Sequence, residues 1–500
     1  MSRNGIFRQK NNASVRPPDT HGGAAAGSVS AAALAAVFDR CADYSTRSVA
    51  PGVTLCWLDP LVSAARLAED VLRPLSRAAA EADGRALLER VCAGGVWAGA
   101  LQRRDMTDET AADVLSGCCA LVFDALGVAV TAEVRSETVR GVDQPAVEKS
   151  VKGGKDAFVE VLRTNVGLVR RRLRTPALKT EETVVGRRGR TCVTLCWLDG
   201  VADAAVAAEL RRRLDAVDVD ALLAAGGVEQ YLTDAPRSPF PQLLHTERPD
   251  KFAAELAAGR VGLLADGLPV GFLAPADLTR FFRVAEDAAQ HFLVATGLTL
   301  LRWGAALVSA FLPALLAAVC MYHPEMIPTK LLLSMIEAKQ QVPFSVAFEM
   351  LTMLAAFELL MEAGVRLPDP VGDTDSIIGA LIVGQSAVEA RIVSPFSVIV
   401  VAAAAICGFT QPSRDLGAAL RLCRFALLFL AIALGLYGVM LGAAALGWYL
   451  CTIESFGRAY TGALTEGTVR EKLLCFLRPP LPAEKLRERG LRTPDRRRQR

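Results

Sequence analysis

The stretch LVATGLTLLRWGAALVSAFLPALLAAVCM, residues Leu293–Met321, decides the fold class of this chain. Its one charged residue is Arg302, and it is longer than the roughly 20 apolar residues that cross a ~30 Å hydrocarbon core. Phe425–Cys451 is a second segment of this kind. Both are too long for the apolar core of a signal peptide. The sequence therefore predicts a water-soluble part up to about Gln290, followed by a membrane part.

The region between these two segments is apolar but carries polar groups. Phe344–Met361 and Ser376–Phe409 both reach helical length. The second is interrupted at Glu389, Arg391 and Ser394-Pro395. Ionisable or amide groups at membrane depth are costly, so they should face a packed interior, a partner or a water path. We predict that the polar residues of this region line or gate a pore. Internal hydrogen bonding would explain them about as well. For Glu358, a pairing with Arg366 at the membrane edge is a further alternative. The candidate pore or gating residues are Glu349, Glu358, Gly384, Gln385 and Glu389.

Both ends of the chain are predicted to be cytoplasmic. No cleavable signal precedes the soluble part, and the tail from Arg470 onward is rich in arginine, which by the positive-inside tendency keeps it inside. The number of crossings is then even, and the simplest arrangement has four, with Ile377–Val388 as a half-helix or re-entrant element. Arrangements with five or six crossings stay open. This arrangement leaves a conflict, because three arginines that precede the last span would lie outside. They are Arg414, Arg421 and Arg424.

The soluble part contains a repeat. The heptapeptide VTLCWLD at Val53–Asp59 recurs unchanged at Val193–Asp199. Each β-branched and aromatic run predicts a strand, and the alanine- and arginine-rich stretch after it predicts a helix, so we expect tandem copies of one small α/β module. Apolar residues at helical spacing over Asp156–Leu173 predict an amphipathic helix between the copies. Two further landmarks keep their order: Ala93–Val96 with Ala225–Val228, and Leu121–Leu126 with Leu263–Leu268.

The predicted fold is an α/β soluble region of two tandem similar modules, followed by an α-helical polytopic membrane domain. The expected segments are a disordered leader at 1–30, a first cytoplasmic module at 31–150, a linker helix at 151–180, a second cytoplasmic module at 181–290, a transmembrane domain at 291–455, and a basic cytoplasmic tail at 456–500.

Charge and residue types exclude several classes of function. The formal net charge of +3 over 500 residues is too small to imply a nucleic-acid partner, so the arginine runs at 170–172 and 187–190 are expected on a solvated face or beside anionic lipid. Twelve cysteines form no CxxC pair and four histidines are scattered, so no metal-ligand spacing can be assembled. Neither a phosphate loop nor a nucleophile elbow is present. We therefore expect no metal, no cofactor and no enzymatic activity.

Two local patterns favour structural roles. Gly438 and Gly442 form a small-xxx-small face in the last span, which permits close approach of helices. The run Glu247-Arg248-Pro249-Asp250 predicts a helix start, with proline in the first turn and acids near the positive end of the helix dipole. Capping is favoured over ligand binding at this run.

Motifs spread along the chain resemble one known family. Those of the soluble part are Gly153–Phe158, Thr164-Asn165, Gly186–Arg188, Phe240–Gln242 and the run Glu247, Arg248, Pro249, Asp250. Those of the membrane part are the run His323, Pro324, Glu325 continuing to Thr329, then Val342–Phe344, Glu362–Pro368, Val383–Val388 and Ser455–Gly457. In this order they resemble the signature of the GerA-type spore germination receptor A subunits. The resemblance covers roughly residues 140 to 460 well and the first 140 weakly.

The resemblance implies a protein of the endospore inner membrane that assembles with a transporter-like B subunit and a lipoprotein C subunit. The A subunit would be a homo-oligomeric, ion-conducting or signal-transmitting element in membrane lipid, and germinant binding would release monovalent cations. A nutrient-receptor subunit and the related stage V sporulation protein both fit. Two other classes stay open: a membrane-anchored scaffold whose modules bind partners, and a secondary transporter, which the lack of a visible inverted repeat disfavours.

Overall fold

The computed structural model describes residues 28–79, 84–136, 145, 148, 152–366, 385–466 and 468–499. They fall into two compact units. The smaller unit consists of the described chain up to Val37, Thr46–Trp57 and Ala65–Val134. The larger unit joins Phe38–Ser45 and Leu58–Ala64 to everything from Arg135 onward.

A five-stranded sheet is the centre of the smaller unit. Its strands are β1 (Tyr44–Ala50), β2 (Val53–Leu58), β3 (Leu101–Arg104), β4 (Cys118–Phe123) and β5 (Val128–Glu133), in the spatial order β1-β2-β4-β5-β3. The helices are α1 (Ala31–Val37), α2 (Ala64–Arg66), α3 (Arg73–Ala79), α4 (Gly84–Arg90) and α5 (Thr107–Leu115), with π-helical turns at Leu67–Leu72 and Val91–Gly95. The sequence of β4, CCALVF, is apolar at every position and buried on both faces, as expected for a strand covered on both sides.

The larger unit contains a second five-stranded sheet. Its strands are β6 (Leu178–Val185), β7 (Thr191–Leu198), β8 (Leu244–Thr246), β9 (Val261–Ala265) and β10 (Gly271–Ala274), in the order β6-β7-β9-β10-β8. The helices beside it are α6 (Leu162–Arg172), α7 (Ala204–Asp215), α8 (Ala225–Leu232) and α9 (Pro249–Ala258). Leu263 and Leu264 of β9 belong to different core clusters, because successive side chains of a strand point to opposite faces. Both faces of this sheet are therefore covered.

The repeated heptapeptide occupies the same place in each sheet. It forms the second strand, and Val53 pairs with Phe123 as Val193 pairs with Ala265. The second pair of landmarks, Leu121–Leu126 and Leu263–Leu268, thus begins in the strand that pairs with the heptapeptide. The register of this pairing is the same in both sheets. The first landmark differs, since Ala93–Val96 ends a helical turn whereas Ala225–Val228 begins α8. Shared strand order and register agree with a duplication, which itself stays a prediction.

The helix predicted between the copies is shorter and more deeply buried than expected. It begins at Leu162, and Arg170 within it has a side chain with no exposed surface, ion-paired to Asp43 at 2.7 Å. The expectation that this arginine run lies on a solvated face is therefore wrong for Arg170. Neighbouring Asp43 explains the difference, because a buried arginine is tolerated when its donors are paired.

The helical part follows the second sheet. Its helices are α10 (Phe292–Tyr322), α11 (Thr329–Gln340), α12 (Val346–Arg366), α13 (Pro395–Phe409) and α14 (Arg414–Thr452). Among the described residues, α10 and α14 are long and apolar enough to cross a membrane, and α13 is a shorter apolar helix. The stretch Leu293–Met321 thus forms one helix, as its composition predicts.

The last helical segment, α14, is a hairpin and not one span. Gly435 has φ 62° and ψ −143°, a conformation open essentially to glycine alone. A straight helix of 39 residues would be about 58 Å long, yet a Cβ placed on Gly442 would lie 2.6 Å from Leu427 Cδ2. The chain therefore reverses at Gly435. The expectation of a single last span over Phe425–Cys451 is wrong.

This reversal removes the conflict over the arginines. The first arm of the hairpin begins beside the second sheet, where Asp415 Oδ2 lies 3.1 Å from Nδ1 of His245. The second arm ends at Thr452, and Ser455 just beyond it donates to the carbonyl of Gln242 at 2.8 Å. Both ends of α14 thus lie on the side of the second module. Arg414, at the start of the first arm, lies there too.

The chain after α14 packs onto the second module. It contains β11 (Glu454–Ser455), β12 (Arg458–Ala459), α15 (Gly462–Thr465) and α16 (Val469–Leu473). Glu488 accepts from Arg280 at 2.8 Å and lies 3.5 Å from Arg260, and the Arg487 guanidinium donates to the carbonyl of Ala257 at 3.0 Å. The described part of the tail is thus a folded piece of the module.

Candidate functional site

Glu349 is the most completely enclosed of the predicted polar residues. It lies in the first turn of α12 with no exposed side-chain surface. Its Oε2 accepts from the N–H of Ser394 at 2.9 Å, from Ser394 Oγ at 2.8 Å and from Ser397 Oγ at 2.9 Å. Its Oε1 is ion-paired with Lys339, near the end of α11. One carboxylate therefore joins α11, α12 and the start of α13.

The start of α13 explains why an anion fits at this place. Ser394 is the N-cap residue, its Oγ accepts from the Ser397 N–H, and Pro395 follows at the first helical position. Serine before proline is a favoured helix start, and the amino end of a helix carries partial positive charge. The interruption predicted at Pro395 is thus the start of α13, and the amino end of this helix binds the carboxylate of Glu349.

Glu358 lies two and a half turns further along α12 and faces the first arm of the hairpin. Its Oε2 accepts from Nη1 of Arg421 at 3.2 Å. Its Oε1 is buried and has no hydrogen-bond partner among the described residues. The side chains of Glu358 and Arg421 are 28% and 35% exposed, so the pair borders the surface of this single chain. The described partner of Glu358 is thus Arg421, whereas the side chain of Arg366, its predicted partner, lies outside the part of the chain that the structure describes.

Arg424, one turn after Arg421, was not singled out as a site residue from the sequence. It is only 1% exposed, and within the part of the chain that the structure covers its Nε and Nη1 have no hydrogen-bond partner. The Oγ of Ser309 on α10 is similarly buried and unpartnered, and both side chains approach Gly408 of α13. A guanidinium stays charged in proteins, so these donors need water or a further group.

Gln385 and Glu389 form a pair of their own. Gln385 Nε2 donates to Glu389 Oε1 at 2.8 Å, and both side chains are exposed on this chain. The spacing of i and i+4 on a helical turn explains the contact. Gly384 lies outside the described residues. The structure therefore does not bring Gln385 and Glu389 together with Glu349.

Gly438 and Gly442, the two glycines of the predicted small-xxx-small face, lie inside the hairpin. A Cβ on Gly438 would meet the carbonyl oxygen of Leu430, and one on Gly442 would meet Leu427. Both therefore face the opposite arm of their own helix pair. Small residues at these positions let the arms approach closely.

The family motifs of the soluble side have structural positions. Pro249 is the first residue of α9, as the pattern predicts. Arg248 is buried and donates to Asp250, and the carbonyl of Glu247 accepts from the Phe158 N–H at 2.7 Å. This run fixes a helix start against the preceding chain.

The motif at the far end of α10 is exposed. His323 is the C-cap residue that follows α10, and Pro324 begins a short 3₁₀ turn. Glu325 Oε1 lies 3.4 Å from Nδ1 of His323.

One group of described residues could hold a metal ion, which sequence spacing did not indicate. Glu229 of α8, His245 of β8 and Asp415 of α14 offer ligand atoms that lie within 4.8 Å of one another. Burial and the charge of Asp415 raise the pKa of Glu229 to about 7, and the contact with Asp415 raises the pKa of His245. The ligands come from three elements that are distant along the chain, so the spacing of these residues in the sequence gives no signal of the group.

Comparisons with known proteins point to one family. The family described as Bacillus/Clostridium GerA spore germination protein matches residues 32–490. The uncharacterized membrane protein YfkQ of Bacillus subtilis is 36% identical over 372 residues, which cover 74% of this chain and 72% of that protein. Spore germination protein KA of the same organism is 35% identical over 401 residues, covering 80% and 74%.

One solved structure is similar as well. The N-terminal domain of the A subunit of the Bacillus megaterium spore germinant receptor GerK3 is 26% identical, with a TM-score of 0.37. The match covers 49% of this chain and 92% of that domain.

Proposed function

The chain belongs to the GerA family of spore germination proteins, and from that premise we propose that it is the membrane A subunit of a spore germinant receptor. In this role it transduces nutrient binding into the release of ions, as an oligomeric cation channel or as a signalling element. It lies in the inner membrane of the endospore with its modules and tail in the cytoplasm. Its partners are a transporter-like B subunit and a lipoprotein C subunit.

The hairpin α14 is the observation that carries this proposal. Its first arm begins at Asp415, in contact with the second module. The same arm holds Arg421 and Arg424 between apolar helices. Charged groups in such surroundings are costly and mark ion paths or moving parts. A displacement of the module therefore moves charges within the helical part, which is what transduction requires.

The hairpin also supports the proposed orientation. The amino end of α10 and both ends of α14 lie beside the second module: Arg302 of α10 is ion-paired to Asp287 at 2.6 Å, and Asp415 and Ser455 contact the second sheet and its loops. The arginines of the first arm then lie toward the cytoplasm, as the positive-inside tendency favours.

The test uses spores that carry the chain with its cognate partner subunits. Glu358→Gln and Arg421→Gln remove one charge each, and the exchange Glu358→Arg with Arg421→Glu restores the pair in reverse. We expect each single change to slow germinant-triggered potassium release at least several-fold, and the exchange to recover part of the rate. Glu69→Gln, the same change at an exposed position of the first module, is the control.

Immunoblots of spore membranes measure the amounts of all three subunits in every strain. Unchanged release with normal amounts of protein contradicts a role of this pair in transduction. Loss of the B subunit together with this chain, with unchanged release per remaining receptor, favours a scaffold.

A further inference from the structure

The second module and the hairpin meet at three side chains whose chemistry suits a metal ion. Nδ1 of His245 lies 3.1 Å from Asp415 Oδ2 and 3.7 Å from Glu229 Oε1. Ligands at about 2.0–2.2 Å from a tetrahedral metal lie roughly 3.4 Å from one another. The two separations from Nδ1 bracket this value, and all three ligand atoms lie within 4.8 Å of one another, so small side-chain rotations suffice to close the shell.

The ligand set indicates the class of ion. One imidazole and two carboxylates are ligands of first-row divalent metals such as Zn²⁺ and Mn²⁺, whereas Mg²⁺ and Ca²⁺ prefer oxygen alone. The charges of Glu229 and Asp415 together balance a divalent ion. The side chains of Glu229, His245 and Asp415 are 27%, 36% and 43% exposed, so an ion has access and water can complete its coordination.

Each ligand is held by a separate element. Glu229 belongs to α8, and His245 lies on β8, the edge strand that pairs with β10. Asp415 follows the N-cap residue Ser413 by two positions, and Leu416 next to it is buried in the core that the second module shares with the hairpin. The nearby cation Lys251 is already paired with Glu148 at 2.6 Å. No large rearrangement is needed to present the three ligands.

We propose that Glu229, His245 and Asp415 bind a divalent transition-metal ion that ties the second module to the first arm of the hairpin. Such an ion neutralises the two like-charged carboxylates. Because it binds all three side chains, it links the second module to the first arm of the hairpin. Binding does not depend on the proposed receptor function, but the ion would stabilise the junction through which that function is transmitted.

The first test measures binding to the purified, untagged full-length chain in detergent, with Zn²⁺ and Mn²⁺ as separate probes and Mg²⁺ for comparison. We expect one equivalent of Zn²⁺, weaker Mn²⁺ and no saturable Mg²⁺ by titration calorimetry. Glu229→Gln, His245→Gln and Asp415→Asn should each weaken Zn²⁺ binding at least tenfold. His323→Gln is the matched control, because Glu325 is the one carboxylate paired with His323 among the residues that the structure describes.

A second readout guards against variants that do not fold. Zn²⁺ should raise the apparent Tm of the native chain and of His323→Gln, since a ligand that binds only the folded state stabilises it. The shift should vanish in the three variants while their Tm without metal stays measurable. Absence of stoichiometric binding, or equal binding by Asp415→Asn, overturns the proposal and leaves an adventitious ion only.

Discussion

At the residue scale, Glu349 shows how a charge is held among apolar helices. The sequence marks the glutamate as costly in such surroundings, and the structure supplies its compensation in Lys339, Ser394 and Ser397. These partners could not be predicted, because Ser394 lies on another helix and its distance along the chain carries no pairing signal. Its neighbours could only be known once α11, α12 and α13 were placed.

Removing the charge of Glu349 should destabilise the helical part. Glu349→Gln leaves Lys339 without its carboxylate and weakens the hydrogen bonds from both serines, which we expect to cost about 1–3 kcal/mol. Glu349→Leu should cost more, because the donors then face a hydrocarbon group. The measurement is the apparent Tm of the purified chain in detergent. Glu337→Gln, exposed on α11, is the control, and an equal loss there would contradict the argument.

The docking of the tail should be sensitive to acid. Burial raises the pKa of Glu488, but the guanidiniums of Arg280 and Arg260 lower it by more, so that this pKa is about 2. Because this pKa lies below the ordinary value of 4.5, the stabilising effect is complete above about pH 4.5 and is lost as the pH falls toward 2. Limited proteolysis between pH 6 and pH 3 should therefore cut the tail only in the acid range. In Glu488→Gln cleavage should already occur at pH 6, and unchanged protection there would count against this account.

At the element scale, the length of the first apolar helix could be predicted from the sequence, whereas the reversal of the chain at Gly435 could not. Leu293–Met321 lies within α10, since a long apolar run with a single charged residue specifies a helix wherever it is buried or in lipid. Gly435 lies between leucines in an equally apolar run, and glycine is common in membrane helices. Neither hydropathy nor helical period changes at that position. The turn depends on a backbone conformation that leaves no trace in composition.

Gly435→Ala should disrupt the hairpin. A side chain at φ 62° and ψ −143° costs on the order of 1–3 kcal/mol, and the new Cβ would lie 3.0 Å from the ring of Tyr322. We expect a lower apparent Tm in detergent. Gly447→Ala, in the second arm with open space around it, should leave the Tm unchanged or raise it, because alanine is the better helix former. Equal effects of the two changes would argue against the reversal.

At the scale of the whole molecule, the soluble part follows one pattern twice. The heptapeptide predicts equivalent strands, and the two sheets place it second in the same order and register. An experimental structure should superpose the two modules with Val53–Asp59 on Val193–Asp199. Different positions of these strands in their sheets would refute the duplication.

The orientation in the membrane can be tested on intact cells that express the chain. Arg497, in the tail, should be inaccessible to a membrane-impermeant thiol reagent when changed to cysteine. Tyr322, at the other end of α10, should be labelled as cysteine, because its hydroxyl contacts the carbonyl of Ile432 at the turn of the hairpin. The chain with its twelve native cysteines provides the background. Labelling of Arg497→Cys from outside would overturn the proposed orientation.

The contact between the tail and the second module also determines when this protein can finish folding. Arg260 and Arg280 are made well before Glu488, which completes their ion pairs. During synthesis the described helices α10 to α14 must leave the ribosome before this acidic partner emerges. The second module therefore stays incomplete until Glu488 has been synthesised, and a chain that stops before this residue leaves Arg260 and Arg280 short of one counter-charge. The second module and the chain that follows α14 therefore complete their folding together.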